Sequence, residues 1–414
     1  LIRGCFPALG EIVAQRKKAF RIVIIVLIFI FYFFLAARPV PRESILVPKW
    51  ISFLGSEQLA DNVSDQLTAQ FADGTIQLTA GNRHNYFGKF IPFSLGTNFG
   101  YFDLSGQLIL NRIRADEIYL SQNMWVEYSA QPSILEIRNI FDEVITTINN
   151  PQGYPVLLDD RIFILGSEQN TLSEIGVNGN VLWSYDFAAP LTGIDVKAGL
   201  VLTGSLDGVI EVFDTSGVRI FHFEPGGSRY EVILGVALSD DGSRIGVISG
   251  IDQQRFLLLE RFGVTPGDFR VVYHEFLDSG FRRPVRILFV DDDRHIVFER
   301  TGGLGSLNIR TRHSFFIPLD GAIQAVEESG DQGYLFLVTV PAAGTDHSLR
   351  SANRNLVGIR FPQHRWLAFH RITGREMIFL TAPFESDDVF LGRYGQNLFV
   401  GGGRTLIAFE LEEL

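Results

Sequence analysis

Between Pro190 and Pro225 the chain reads LTGIDVKAGLVLTGSLDGVIEVFDTSGVRIFHFE, four short apolar runs separated by turn residues. The runs parse as strands Leu191–Val196, Leu200–Gly204, Gly208–Asp214 and Val218–Phe223. Asp207-Gly208 and Ser216-Gly217 supply turns, because glycine accepts the positive φ that tight hairpins demand. One such unit cannot cover both of its faces, so its repetition constrains the fold more than any single strand does. The rhythm recurs over Pro155–Phe187, Val232–Phe262 and Val285–Leu319, more weakly over Ala322–Ile372 and Val389–Glu412, and twice between Leu67 and Ile148. Four strands repeating every ~35–50 residues predict an all-β propeller of seven or eight four-stranded blades, eight favoured. The last unit shows three clear strands, and a strand near Ser44–Phe53 would complete it and remove an open sheet edge.

Ahead of this array, Ile22 to Ala37 carries no charge and comes after Arg16, Lys17, Lys18 and Arg21. With Phe20 and a snorkelling Arg21 it would span about 27 Å as a helix, near the hydrocarbon thickness of a bilayer. The expectation is a transmembrane signal-anchor helix over residues 20–37. Arg3, Arg16, Lys17, Lys18 and Arg21 face a single acid, Glu11, so residues 1–19 read as a basic cytoplasmic tail. The body is then extracytoplasmic, on the periplasmic side of a bacterial inner membrane crossed once. The competing reading is a secretory signal peptide cleaved after Leu35-Ala36-Ala37, although the apolar core is long for that role. Pro39 ends the helix, and Pro41 and Pro48 stiffen the segment beyond it. Residues 38–66 thus read as a stalk with the possible closing strand and residues 67–414 as the propeller, while Ser56–Gln70 alone reads as a polar helix.

The single cysteine, Cys5, lies before the apolar run, so the body has no disulfide and depends on its core. A lipidated Cys5 is not expected, since a lipoprotein cysteine comes after its apolar segment. The net charge of −11, with a basic N-terminus, leaves the body acidic and repels phosphate backbones, so no nucleic-acid partner is expected.

Three stretches carry a family resemblance. Gly179-Asn180-Val181-Leu182-Trp183-Ser184-Tyr185 matches a Gly-x-x-Leu-Trp blade end, and Leu202 to Phe213 (LTGSLDGVIEVF) matches the central hairpin of the same repeat. Val236 to Arg244 (VALSDDGSR) carries the Ser-x-Asp-Gly hairpin of WD40-like blades. The chain therefore resembles the quinoprotein-like and WD40-like β-propellers, especially the repeat of pyrroloquinoline-quinone propellers and of the eight-bladed lipoprotein of outer-membrane protein assembly. The likeness covers about a quarter of the chain and implies architecture, because such folds host enzymes and pure binding scaffolds alike.

Candidate chemistry is sparse. Quinone-dependent propeller enzymes hold their cofactor through acid and amide ligands to calcium, some with a vicinal cysteine pair, and this chain has no such pair, so no cofactor is expected. Asp291-Asp292-Asp293 offers oxygens to a hard cation, but between two strand-like runs it reads as a hairpin turn, as does Asp240-Asp241-Gly242. His84, His222, His274, His295, His313, His347, His364 and His370 show no metal-ligand spacing. No nucleophile elbow is present, and Gly81 to Phe90 fails as a phosphate loop, with six residues between its glycines and Phe90 in place of the metal-binding hydroxyl. No catalytic or metal residue is nominated. Val340–Asn355 is a long polar insertion, and Thr345, Asp346, His347, Arg350 and Arg354 within it are the candidate partner contacts. The sequence reading is a membrane-tethered protein-interaction scaffold in a bacterial envelope complex. The alternative is an enzyme or small-ligand receptor using the central funnel.

Overall fold

A computed structural model of the chain describes residues 20–32, 44–55, 58–59, 70–71, 74–75, 90–263, 265, 267–327, 333–341, 353–361, 365–367, 370–372 and 377–413. It divides into two compact units, one of Leu46–Pro362 with Arg375–Glu412 and one of Leu1–Ile45, Gln363–Gly374 and Glu413–Leu414.

The strands group into eight four-stranded sheets, the blades of a propeller. Blade 4 shows how sequence becomes structure: its strands are Leu191–Lys197, Leu200–Ser205, Ile210–Phe213 and Arg219–Phe223, paired in chain order. Every residue of its second and third strands is buried, whereas the fourth carries Arg219 and His222 outward. Neighbouring blades cover both faces of the middle strands, which is why those runs are largely apolar without strict alternation. Blades 2, 3, 5 and 6 keep the same order, starting at Glu117, Gly153, Ile233 and Ile287.

The core lies between blades. Leu202, Ile210 and Val212 of blade 4 pack with Ile233, Ile245 and Val247 of blade 5. Phe256 of blade 5 stacks on Phe298 of blade 6 with centroids 4.4 Å apart and planes 14° from parallel. Close approach needs small residues on the facing strand: a Cβ on Gly246 would lie 2.2 Å from Ile296.

The N-terminal segment fastens two blades. Ser44–Phe53 pairs with Thr405–Glu413 as the outer strand of blade 8, which continues inward through Asn397–Gly402 and Val389–Tyr394. Gln58–Leu59 then pairs with Leu108–Ile113 as the outer strand of blade 1, Gln58 opposite Asn111 and Leu59 opposite Leu110. Between them, Trp50 donates Nε1–H to the carbonyl of Leu104 at 2.9 Å and packs on Phe102 of blade 1 and Phe399 of blade 8.

Three expectations need correction. Ser56–Gln70 is not one helix, since Gln58–Leu59 is extended and recruited by the free edge of blade 1; the intervening residues lie outside the described ones. The fourth strand of blade 7 is Met377–Glu385 rather than a run ending at Ile372, and that of blade 5 is Phe269–Phe276, beyond Phe262. The expected membrane helix over 20–37 is described only in part: residues 20–32 are helical, no helix among the described residues is long and apolar enough to cross a membrane, and residues 33–37 lie outside them.

Candidate functional site

The first strands of blades 4 to 7 converge on a cavity of about 220 Å³. Three of those strands carry a β-bulge near their start, with Thr192, Leu234 and Gln324 as the extra residues. A bulge leaves one residue outside the ladder and turns the strand, and here it opens space beside Gly193 and Gly235. The opposite wall is Val285, Arg286 and Ile287. Arg286 donates to the carbonyls of Ile323 at 3.0 Å and Gln324 at 2.8 Å, and Thr192 donates to that of Gly204 at 3.1 Å. The lining's only charged side chain and only hydroxyl are therefore already engaged on backbone oxygens. Its lining side chains are mostly aliphatic, and it sets no acid beside a base.

Acids gather at the end of the blades that bears the turns between first and second strands. Asp195 of blade 4 accepts the Leu238 N–H at 2.7 Å, Lys197 meets Asp240 of blade 5 at 2.6 Å, and the Asp240 N–H reaches Asp293 of blade 6 at 2.8 Å. The three turns are thus laced together side by side. Burial raises the pKa of Asp195, against the pull of its backbone donors and Lys197. Burial and the neighbouring Asp240 charge likewise raise that of Asp293. Asp241 goes the other way: burial opposes its charge, but hydrogen bonds from Ser239 and Ser243 hold it down at about 2.

The Asp293 shift makes a stability statement. A carboxyl whose folded pKa exceeds its unfolded value disfavours folding above that window and is neutral to it below about pH 4. Asp293→Asn should therefore raise the urea midpoint at pH 7, with the gain vanishing as pH falls below about 4. Asparagine also tolerates the left-handed φ of 58° at this position. An unchanged midpoint at pH 7 would contradict the assigned repulsion.

Asp291, Asp292 and Asp293 form the expected turn, all three at left-handed φ. Asp291 is buried, pairing with Arg294 at 2.5 Å and with His295 Nδ1 at 3.1 Å. His295 Nε2 lies 2.9 Å from Asn308, and its ring stacks on Phe361. These side chains hold the turn end of blade 6 and, through Phe361, join it to blade 7. Among the described residues no group of three or more His, Cys, Asp or Glu is placed to hold a metal ion.

Of the candidate contacts, Thr345, Asp346, His347 and Arg350 lie outside the described residues. Arg354 stands on the strand Asn353–Arg360 and donates to the carbonyl of Asp387 at 3.2 Å, bracing blade 7 against the connection to blade 8. Sequence reasoning missed two features. The bulges leave no local signature beyond Gly193 and Gly235. Arginines stacked on exposed aromatic rings between blades 4 and 6 are brought together from separate connections.

Eight four-stranded blades around a cavity define a β-propeller. The chain belongs to a β-propeller protein family, whose model matches residues 13–414. It is 28% identical over 309 residues to an uncharacterized protein of Treponema pallidum (strain Nichols), covering 75% of this chain and 78% of that one. It is also similar to the crystal structure of BamB from Moraxella catarrhalis, with a TM-score of 0.52 and 12% identity over 88% of this chain and 100% of that chain. At that identity the likeness is one of fold.

Proposed function

We propose that this chain is a membrane-tethered, extracytoplasmic scaffold that docks protein partners in a bacterial envelope complex. The observation that carries the docking role is a closed propeller whose surface presents large apolar side chains at loops and outer strands, among them Val177, Leu206, Tyr230 and Phe276. A rigid frame with such side chains binds proteins at little ordering cost. The tether rests on residues 20–32, apolar apart from Arg21 and exposed on every face of the helix. A helix apolar all round needs an apolar surrounding. Its thirteen residues cover about 20 Å, and Phe33 to Ala37 continue the apolar run toward a bilayer's thickness.

We further read the repeat as quinoprotein-like. Trp183, at the Gly-x-x-Leu-Trp end of blade 3, stacks on Phe213 of blade 4 with planes 17° apart. It also donates to Glu174, which holds Arg161. The residues support the repeat's packing and give no ligand set for its cofactor. The axial cavity supports a second reading, a receptor for a small apolar ligand.

Topology is testable with the lone cysteine. In intact cells, a membrane-impermeant maleimide should label a Ser216→Cys variant in a Cys5→Ser background, because Ser216 sits on an exposed turn of blade 4. Cys5 of the unaltered chain should react only after permeabilisation. Labelling of Cys5 but not of position 216 in intact cells would overturn the orientation.

A further inference from the structure

The end of the blades opposite the acidic turns carries the connections between blades and the turns between second and third strands, and on blades 4 to 6 this end brings arginines onto aromatic rings. The guanidinium of Arg229 lies 5.5 Å from the ring centroid of Tyr230, that of Arg255 6.0 Å from Phe276, that of Arg283 4.7 Å from Phe281, and that of Arg300 5.4 Å from Phe316. Tyr230, Phe276 and Phe316 remain 56%, 58% and 48% exposed, so three large rings at one end of neighbouring blades stay in contact with water.

The patch is built rather than incidental, because one turn of blade 5, residues 250–254, anchors its parts. The Arg229 N–H donates to Asp252 at 3.2 Å, the Leu277 N–H to the carbonyl of Gln254 at 2.7 Å, and the Gln254 amide to the carbonyl of Phe281. Arg255 ties the Pro225-Gly226 carbonyls to the same turn, at 2.7 Å from Gly226. Ser279 and Thr301 join the blade 5 connection to blade 6 at 3.3 Å.

Charge then selects the occupant. Arg283 is committed to Glu299 at 2.5 Å, but Arg229, Arg282 and Arg300 form no ion pair among the described residues. In a chain of net charge −11, Arg229 and Arg300 held on exposed rings, together with the exposed Arg282 next in the chain to Arg283, are three guanidinium groups without an ion pair and form an unfilled half of an interface. Asp252 lies within the patch and Glu231 and Asp278 are close in the chain, so recognition depends on the placed guanidinium–ring pairs and not on bulk charge.

We propose that this end of blades 4 to 6 docks an acidic segment of another protein chain. Its carboxylates take Arg229, Arg282 and Arg300, and its apolar side chains cover Tyr230 and Phe276. The inference rests on the scaffold reading and adds to it the face and the chemistry of the partner. Arginine and tyrosine at a desolvated centre are the side chains that contribute most to protein docking.

The test places a photo-crosslinking amino acid at Tyr230, at Phe276 or, as the opposite-end control, at Asp160, in the full chain in its native membranes. The expected result is crosslinks from Tyr230 and Phe276 to protein segments carrying Asp or Glu within a few residues. Arg282→Glu combined with Arg229→Glu should lower the yield about tenfold, with the melting curve unchanged. Protein crosslinks from Asp160 alone would overturn this inference and leave the scaffold intact, whereas none from any position would overturn both. Crosslinks to lipid alone, to segments without acids, or insensitive to charge reversal would also overturn it.

Discussion

Arg393→Met is expected to destabilise the propeller by about 3–5 kcal/mol, read as a fall in the urea midpoint, because it removes the cation that faces a buried carboxylate. Arg393 of blade 8 and Glu327 of blade 7 have fully buried side chains whose charges lie 3.5 Å apart. The guanidinium also donates to the carbonyl of Tyr334 at 3.0 Å and to that of Gly395 at 3.0 Å. It rests on the rings of Tyr334 and Phe336. One cation thus satisfies oxygens from two blades in a place water does not reach. Removing the guanidinium takes the facing cation from a carboxylate that stays buried, which is much more costly than never having buried the pair. The double variant Glu327→Leu with Arg393→Met should therefore recover most of the loss. A single substitution costing under about 1 kcal/mol, or a double variant no better than the single, would remove this clasp from the account.

Trp50→Ala should cost about 3 kcal/mol, and its effect reaches beyond one side chain. The indole bridges the outer strand of blade 8 and the Leu104 turn of blade 1, and Gly106 lets it seat: a Cβ there would come within 2.7 Å of the ring. Gly106 holds φ of 88°, so Gly106→Val combines a clash with backbone strain and should reproduce the Trp50→Ala loss. Leu54 continues the fastening, its N–H donating to the carbonyl of Arg404 at 2.8 Å. Loss of the indole should expose these outer strands first, so their amides should exchange faster by hydrogen exchange than those of blade 5. Lys49→Ala, on the same strand, removes only a solvent-exposed ion pair with Glu410 and should leave the midpoint nearly unchanged. Equal exchange in both regions of Trp50→Ala would contradict a closing role.

The fold was legible in the sequence wherever its signals are local. Blade 4 could be read within a few residues of its strand ends because Asp207-Gly208 and Ser216-Gly217 mark its turns and Leu200–Ser205 is largely apolar. The outer strand of blade 8 was legible because three C-terminal strands left an edge to be filled. Gln58–Leu59 was not, since a two-residue strand inside a polar stretch has no periodicity of its own and is specified by the free edge it meets. Asp291–Asp293 read as a turn from local composition, whereas the Glu327–Arg393 pair joins residues 66 apart and has no linear signature. The arginine–ring surface was hidden for the same reason: its parts come from the connections around Tyr230, Phe281 and Arg300, which only the ring of blades assembles.

The proposed role of the propeller is to dock protein partners at the membrane. The most direct measurement is chemical crosslinking in native membranes, capture of the tagged full chain, and identification of the proteins bound to it. The same envelope protein should recur in repeated captures, crosslinked to the propeller. Repeated recovery of the chain alone, with the purified protein instead binding a small apolar ligand in the cavity beside Gly193 and Gly235, would contradict it.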